Sequence, residues 1–308
     1  MNARAATIMV TLWSLFTSLP TQSQETIRGD LFFRNVTDKV VIQTSPSQKL
    51  VFDESVAGTL ILNGHDLFIY ADNVEVVGTV KIKAFSEDDL PTNSSGLGEA
   101  GRRGGDAGLC GRNGCPGGTG DNGFPGPTGA PGKSAGDVFL SIKQVSGPGK
   151  LIFVDVGQRG GKGGAGGRGG DGGRGGTGAN RTCGDIMGRG KHGPGDGGRG
   201  GTGGNGGAGG KGGPGGPGGT ITYADSVIGA ISEGKVQFDF SRAAGGPGGT
   251  GGAAGNAGGY GGMGHGAMCG GGGTGGPLGS PGTEGPAGPD GDPGRPGKAV
   301  CFGSRCPS

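Results

Sequence analysis

The chain has 308 residues, a net charge of +2, and 86 glycines. An ordinary globular chain carries about 7% Gly, so this composition is not that of one and length alone does not fix the domain count, while the near-neutral charge excludes a general polycation. Only Gly29, Gly58, Gly64 and Gly78 precede Gly96, so the chain has two compositional parts.

Residues 1–23 read as a signal peptide. Arg4 supplies the positive start, Thr7 to Leu19 is an apolar core too short to span a bilayer, and Thr21 and Ser23 are small residues suited to cleavage. The expected location is therefore secreted, or extracellular, with no membrane span. Six cysteines follow: Cys110, Cys115, Cys183, Cys269, Cys301 and Cys306. An even count in an exported chain points to disulfides, with the pairing left open by the sequence. Asn35, Asn93 and Asn180 each head an Asn-X-Ser/Thr sequon and are glycosylation candidates. Arg28-Gly29-Asp30 is a candidate cell-binding tripeptide near the expected mature start.

Residues 25–86 alternate apolar and polar side chains. Apolar pairs recur at Leu60/Leu62, Leu67/Ile69, Val74/Val76 and Val80/Ile82, punctuated by Asn63-Gly64, Asp72-Asn73 and Gly78. The spacing predicts a β-rich module, either a β-solenoid or a small sandwich.

From Gly96 the period becomes three. Residues 96–136 hold a collagen-like Gly-x-y run, with ten unbroken triplets from Gly105 to Ser134. Residues 159–219 hold x-Gly-Gly runs, six triplets over Arg159 to Gly176 and eight over Asp196 to Gly219. Residues 243–299 hold Gly triplets in one register, broken only by Ala267 and Pro-rich at the end. Two strand-like inserts, 137–158 and 220–242, each carry a Gly-Lys turn (Gly149-Lys150 and Gly234-Lys235) and are expected to be short β-hairpins. Residues 300–308 form a Cys-containing tail, and essentially no α-helix is expected after the signal peptide.

Three residues per turn is the period of polyproline II, so residues at i, i+3 and i+6 make one ridge. In x-Gly-Gly two ridges are bare, and neighbouring backbones can approach and hydrogen-bond on both. In Gly-x-y only one ridge is bare. The expected fold is a glycine-rich polyproline-II helical bundle joined to the β-rich module.

These runs resemble collagen-like repeats at 105–134 and 276–299. The x-Gly-Gly runs with scattered Cys resemble the polyglycine-II bundle proteins of the snow-flea antifreeze type. The resemblance covers roughly residues 96–299 and is one of repeat type. It implies a secreted, disulfide-tied polyproline-II fold. The family's flat, small, uncharged ice-binding ridges are not matched by Arg159, Lys162, Arg168, Asp171 and Arg174, which demotes ice binding to a secondary alternative.

No catalytic, cofactor or metal set emerges. Gly132-Lys133-Ser134 lacks the P-loop's leading Gly, since Pro127 stands there, and no helix pattern follows. The stretch Met263, His265, Met268 and Cys269 reads as gap-filling rather than as soft metal ligands. The basic ridge Arg159, Lys162, Arg168 and Arg174 is a candidate polyanion surface. Sparse aromatics argue against nucleic acid. The expected function is non-catalytic: an extracellular structural or matrix-type protein. Its partners would be matrix or cell-surface components, anionic polysaccharide among them, and a homotrimer could form through 276–299. A surface adhesin or glycan-binding protein is the alternative.

Overall fold

The computed structural model describes residues 24–26, 39–46, 48–91, 96–181, 193–266 and 271–306. The expected signal peptide, Arg28-Gly29-Asp30, Asn35, Asn93, Cys183 and Cys269 lie outside them.

The fold is β-rich, built from strands in parallel sheets, with little helix. The strands are β1 (Gln24–Thr26), β2 (Lys39–Gln43), β3 (Lys49–Asp53), β4 (Thr59–Ile61), β5 (Asp66–Val77), β6 (Thr79–Lys83), β7 (Leu109–Cys110), β8 (Asn113–Gly114), β9 (Val138–Ser146), β10 (Lys150–Val154), β11 (Thr220–Ala224), β12 (Val236–Asp239) and β13 (Lys298–Phe302). Two short helices are present, α1 (Glu54–Ala57) and α2 (Ile228–Ser232). The larger sheet runs β1-β3-β5-β9-β11-β13, with β2 also on β5, and the smaller runs β12-β10-β6-β4. Every pair is parallel except the two-residue ribbon β7–β8. Inward residues of both sheets, among them Leu67, Ile69, Val80, Leu140, Leu151, Phe153 and Ile221, make one core. The strand pairs within residues 24–86 are all parallel among the described residues.

Two sequence expectations are corrected here. The inserts at 137–158 and 220–242 are not β-hairpins. β9 and β10 lie in different sheets, as do β11 and β12, so each insert crosses from one sheet to the other. Gly147 (φ 93°) and Gly234 (φ 71°) make the crossings, and in the second a 3-10 turn and α2 fill the span. Residues 25–86 are not a separate module, because β5 pairs with β9 and β6 with β10. At the start of the tail, Lys298–Phe302 is a strand on β11.

The first circuit of strands returns from β4 to β5 through Asn63-Gly64, both at positive φ (53° and 79°). At the same return point, each later circuit sends out a pair of glycine runs. Six runs lie among the described residues: I (96–108), II (113–136), III (157–181), IV (193–219), V (243–266) and VI (271–297). Consecutive runs are antiparallel, since Gly118 N donates to Gly105 O and Asp121 N to Arg102 O. Alternate runs are parallel, since Gly98 N donates to Ala165 O and Gly101 N to Arg168 O. The six therefore make two layers, I–III–V and II–IV–VI. Runs II, IV and VI lead into β9, β11 and β13, so their layer continues the larger sheet. Runs I, III and V leave β6, β10 and β12, so theirs continues the smaller one.

The two inner runs, III and IV, have four neighbours each, and these are the x-Gly-Gly runs. Gly169 N donates to Ala253 O and Gly170 N to Asp121 O (2.9 and 2.8 Å). A Cβ on Gly169 would collide with Gly204 O, and one on Gly170 with Arg102 O. Both glycines of each triplet are buried in run III, while Arg159, Lys162, Arg168 and Arg174 stay exposed. The outer runs have fewer neighbours and cover less: in run V, Gly246, Gly249 and Gly252 are buried while Gly248 and Gly251 are only half-buried, and in run VI Gly276, Gly279 and Gly282 are themselves half-buried.

Candidate functional site

The glycine runs place side chains on two outer faces. On the face of runs II, IV and VI, Asn122 Oδ1 accepts from Asn205 N and Asn205 Oδ1 accepts from Thr283 N (2.8 and 2.9 Å). Asn113, Asp196 and Thr274 repeat this arrangement at 3.0 and 2.8 Å. These bonds fix which residues stand side by side. Stepping by three from them gives rows such as Pro116–Arg199–Pro277 and Thr119–Thr202–Ser280, all exposed. The face is dominated by Thr, Ser, Asn, Pro and Ala. Its charges are largely balanced, as Lys211 Nζ pairs with Asp292 Oδ2 at 2.7 Å. The hydroxyl and N–H of Thr274 hold the Asp196 carboxyl below the usual carboxylate range.

The face of runs I, III and V follows the same construction with different side chains. Asp106 Oδ1 accepts from Arg174 N, Asp171 Oδ1 from Asn256 N, and Asn180 Oδ1 from His265 N (2.8, 2.8 and 2.9 Å). Arg159, Lys162, Arg168 and Arg174 share the central ridge of this face, as the period predicts. Arg168 pairs with Asp171 at 2.7 Å, and Arg174 Nε donates to Tyr260 O at 3.3 Å. Asn180 is exposed.

These Asn and Asp links are the residues that sequence reasoning missed. An outward residue's N–H faces solvent, and a short carboxyl or amide on the next parallel run can reach it. The period marked such residues as outward, but which run lies beside which depends on the strand order.

Beyond the ends of runs II, IV and VI the same ladder passes into the larger sheet: Asp66 Oδ1 accepts from Asp137 N and Asp137 Oδ1 from Thr220 N, both at 2.7 Å. The outer face of that sheet then carries an aromatic group, with Tyr70, Phe68 and Phe302 around Phe139 at ring-centre distances of 5.6, 6.2 and 5.1 Å.

Two disulfides lie among the described residues. Cys110–Cys115 closes the turn between runs I and II, and Cys301–Cys306 closes the tail beyond β13, with Cα separations of 4.9 and 5.6 Å. The tail folds back over the second crossing, where Arg305 N donates to Asp225 Oδ2 at 3.1 Å.

Inside the molecule, Asp155 sits where β10 becomes run III, 3% exposed. Burial pushes its pKa up to about 6. The nearby Gly219 N–H opposes this and the Asp137 charge adds to it. Neither oxygen completes a hydrogen bond. No group of three or more His, Cys, Asp or Glu suited to a metal occurs among the described residues, and none of their helices is long and apolar enough to cross a membrane.

No protein-family model matches the chain, and no curated protein matches it. Among solved structures the chain is similar to a nine-helix polyproline type II bundle, an antifreeze protein of the springtail Granisotoma rainieri, at 24% identity over 60% of this chain and 94% of that one. The TM-score of 0.08 establishes no common fold.

Proposed function

We propose that the protein is a secreted, non-catalytic structural protein of the extracellular matrix type: a rigid two-layer polyproline-II bundle of glycine runs, anchored on a parallel β-solenoid. The observation that carries this reading is the match between repeat type and position. The x-Gly-Gly runs are the two with neighbours on four sides, and the Gly-x-y runs have fewer. Backbone groups that would otherwise need water are bonded between runs at every third residue. The side chains of the runs are left to two long faces. The reading implies a monomer. In run VI, Gly276, Gly279 and Gly282 lie against run IV, where a Cβ would collide with Gly198 O, Gly201 O and Gly204 O. A collagen trimer through 276–299 would need that same bare ridge at its axis.

Circular dichroism of the purified chain tests the bundle: a polyproline-II signature that melts cooperatively supports it, and a random-coil spectrum removes it. Sedimentation separates monomer from trimer.

Ice binding is a second reading, favoured by the face of runs II, IV and VI. Its rows of Thr, Ser, Asn and Pro are small and mostly uncharged, unlike the ridge of run III. Thermal hysteresis of the intact protein tests it, and its absence eliminates it.

A further inference from the structure

We infer that the face shared by runs I, III and V and the smaller sheet is a binding surface for a linear, sparsely charged polyanion, namely an acidic or sulfated polysaccharide. The inference rests on the bundle reading above and names a partner for it.

Parallel register puts Thr79 beside Lys150 and Lys81 beside Ile152, so Lys81 and Lys150 stand on one outer face, both exposed. β10 runs directly into run III, which carries Arg159, Lys162, Arg168 and Arg174 on its outward ridge. The cations of the smaller sheet and those of the bundle therefore lie along one continuous strip. Lys81, Lys150, Arg159, Lys162 and Arg174 make no ion pair among the described residues, while Lys83, Lys235 and Arg168 are paired with Glu87, Glu233 and Asp171. The opposite face does not share this excess: its Asp66, Asp137, Asp196 and Asp292 offset Arg199, Lys211, Arg295 and Lys298, Lys49 and Lys143 pair with Glu75 and Asp72, and Lys39 is left over beside Asp66.

Spacing selects the polyanion. Successive ridge positions lie about 9 Å apart at ~3.1 Å per residue. Phosphates along one DNA strand come about every 3.4 Å, far denser than this strip can match. Stacking of successive bases on a row of aromatic side chains, which adds to single-strand binding, has little to work with here, because the aromatic group around Phe139 is on the other sheet and Tyr260 is a single ring beside Arg174. A polysaccharide carrying one anionic group per repeat fits a strip of sparse cations.

The test is binding of the full chain to hyaluronan, whose repeat carries a single carboxylate, with single-stranded DNA as competitor, between 50 and 200 mM salt. The triple variant Lys150→Gln, Arg159→Gln, Lys162→Gln should weaken hyaluronan binding about tenfold or more and flatten its salt dependence. The opposite-face triple Arg199→Gln, Lys211→Gln, Arg295→Gln should stay within about twofold of the parent. Equal losses in both triples, no hyaluronan binding, or tighter binding of DNA would overturn the inference. Absent binding with an intact polyproline-II spectrum sinks this surface alone, whereas loss of the spectrum sinks the bundle.

Discussion

Asp155 is buried at the seam between strands and glycine runs with both carboxyl oxygens unbonded. Its pKa of about 6 stands above the ordinary carboxyl value of 3.8 expected in the unfolded chain. The folded state therefore holds this proton more tightly, and the stability it contributes is complete below about pH 4 and lost as pH rises through about 6. At about 1.4 kcal/mol per pH unit the loss amounts to about 3 kcal/mol. Asp155→Asn should melt at a higher temperature than the parent at pH 7.5, and the gap should close at pH 4. Asp196 has the opposite sign: its lowered pKa makes the Thr274 link a contribution that disappears as pH falls through the folded value. Comparing the parent with Asp155→Asn at each pH cancels that second effect. Glycine positions separate just as sharply. Gly170→Ala drives a Cβ into Arg102 O, whereas Gly259→Ala meets nothing nearer than Arg174 Cγ at 3.8 Å. Thermal melts should show a loss of about 3 kcal/mol or more for the first, because backbone on a fixed lattice cannot move aside. The second should be neutral or stabilise by about 0.5 kcal/mol, through a less flexible unfolded chain.

Each run is held to the next parallel one by the backbone and, at intervals, by an Asn or Asp side chain. Removing a pair of these links, Asn122→Ala with Asn205→Ala, should cost about 1 kcal/mol per bond in chemical denaturation, the ordinary net value of a hydrogen bond. Run VI, on the margin of its layer, faces the problem of an edge strand, with unpaired N–H groups open to another chain. Pro281, Pro293 and Pro296 lie exposed on its third ridge, apart from the outer face and the glycine ridge, and a proline has no N–H to offer. Replacing these three with Gly should promote self-association, visible as a larger species in sedimentation at unchanged disulfide content. The sequence made the period, the two repeat types and the outward ridge of run III legible, because three-residue spacing is a local property. It did not reveal that the strand inserts change sheets. A Gly-Lys turn followed by a second apolar stretch suits a hairpin as well as a crossing, and only pairing with strands some 70 to 80 residues away distinguishes them (the Asp66–Asp137 and Asp137–Thr220 bonds span 71 and 83 residues). The small neutral face was missed for the same reason. Its rows combine runs II, IV and VI, and run III alone gave no hint of them.

At the scale of the molecule, strands and glycine runs divide the work of folding unequally. The strands bury Leu67, Ile69, Leu140, Leu151, Phe153 and Ile221 in one core, and apolar burial is the dominant favourable term. The runs bury mostly backbone, and each ordered glycine loses more conformational freedom than any other residue. The runs therefore depend on the strands to bring their ends together: every pair of runs leaves one strand of the smaller sheet and returns to the larger sheet beside the previous circuit. The circuit closed by Asn63-Gly64 shows that the β body does not need a glycine pair to turn. A chain in which 86–135, 157–218 and 242–296 are each replaced by a short Asn-Gly-containing turn should keep a β spectrum and a cooperative melt. The converse chain, with β9, β10, β11 and β12 disrupted by Leu140→Asp, Leu151→Asp, Ile221→Asp and Val236→Asp, should lose the polyproline-II signature although no glycine has changed. If that signature survives, the runs assemble on their own and the strands merely decorate them. If it vanishes, register in the bundle is inherited from the sheets, and the side-by-side rows on both outer faces follow from parallel strand pairing.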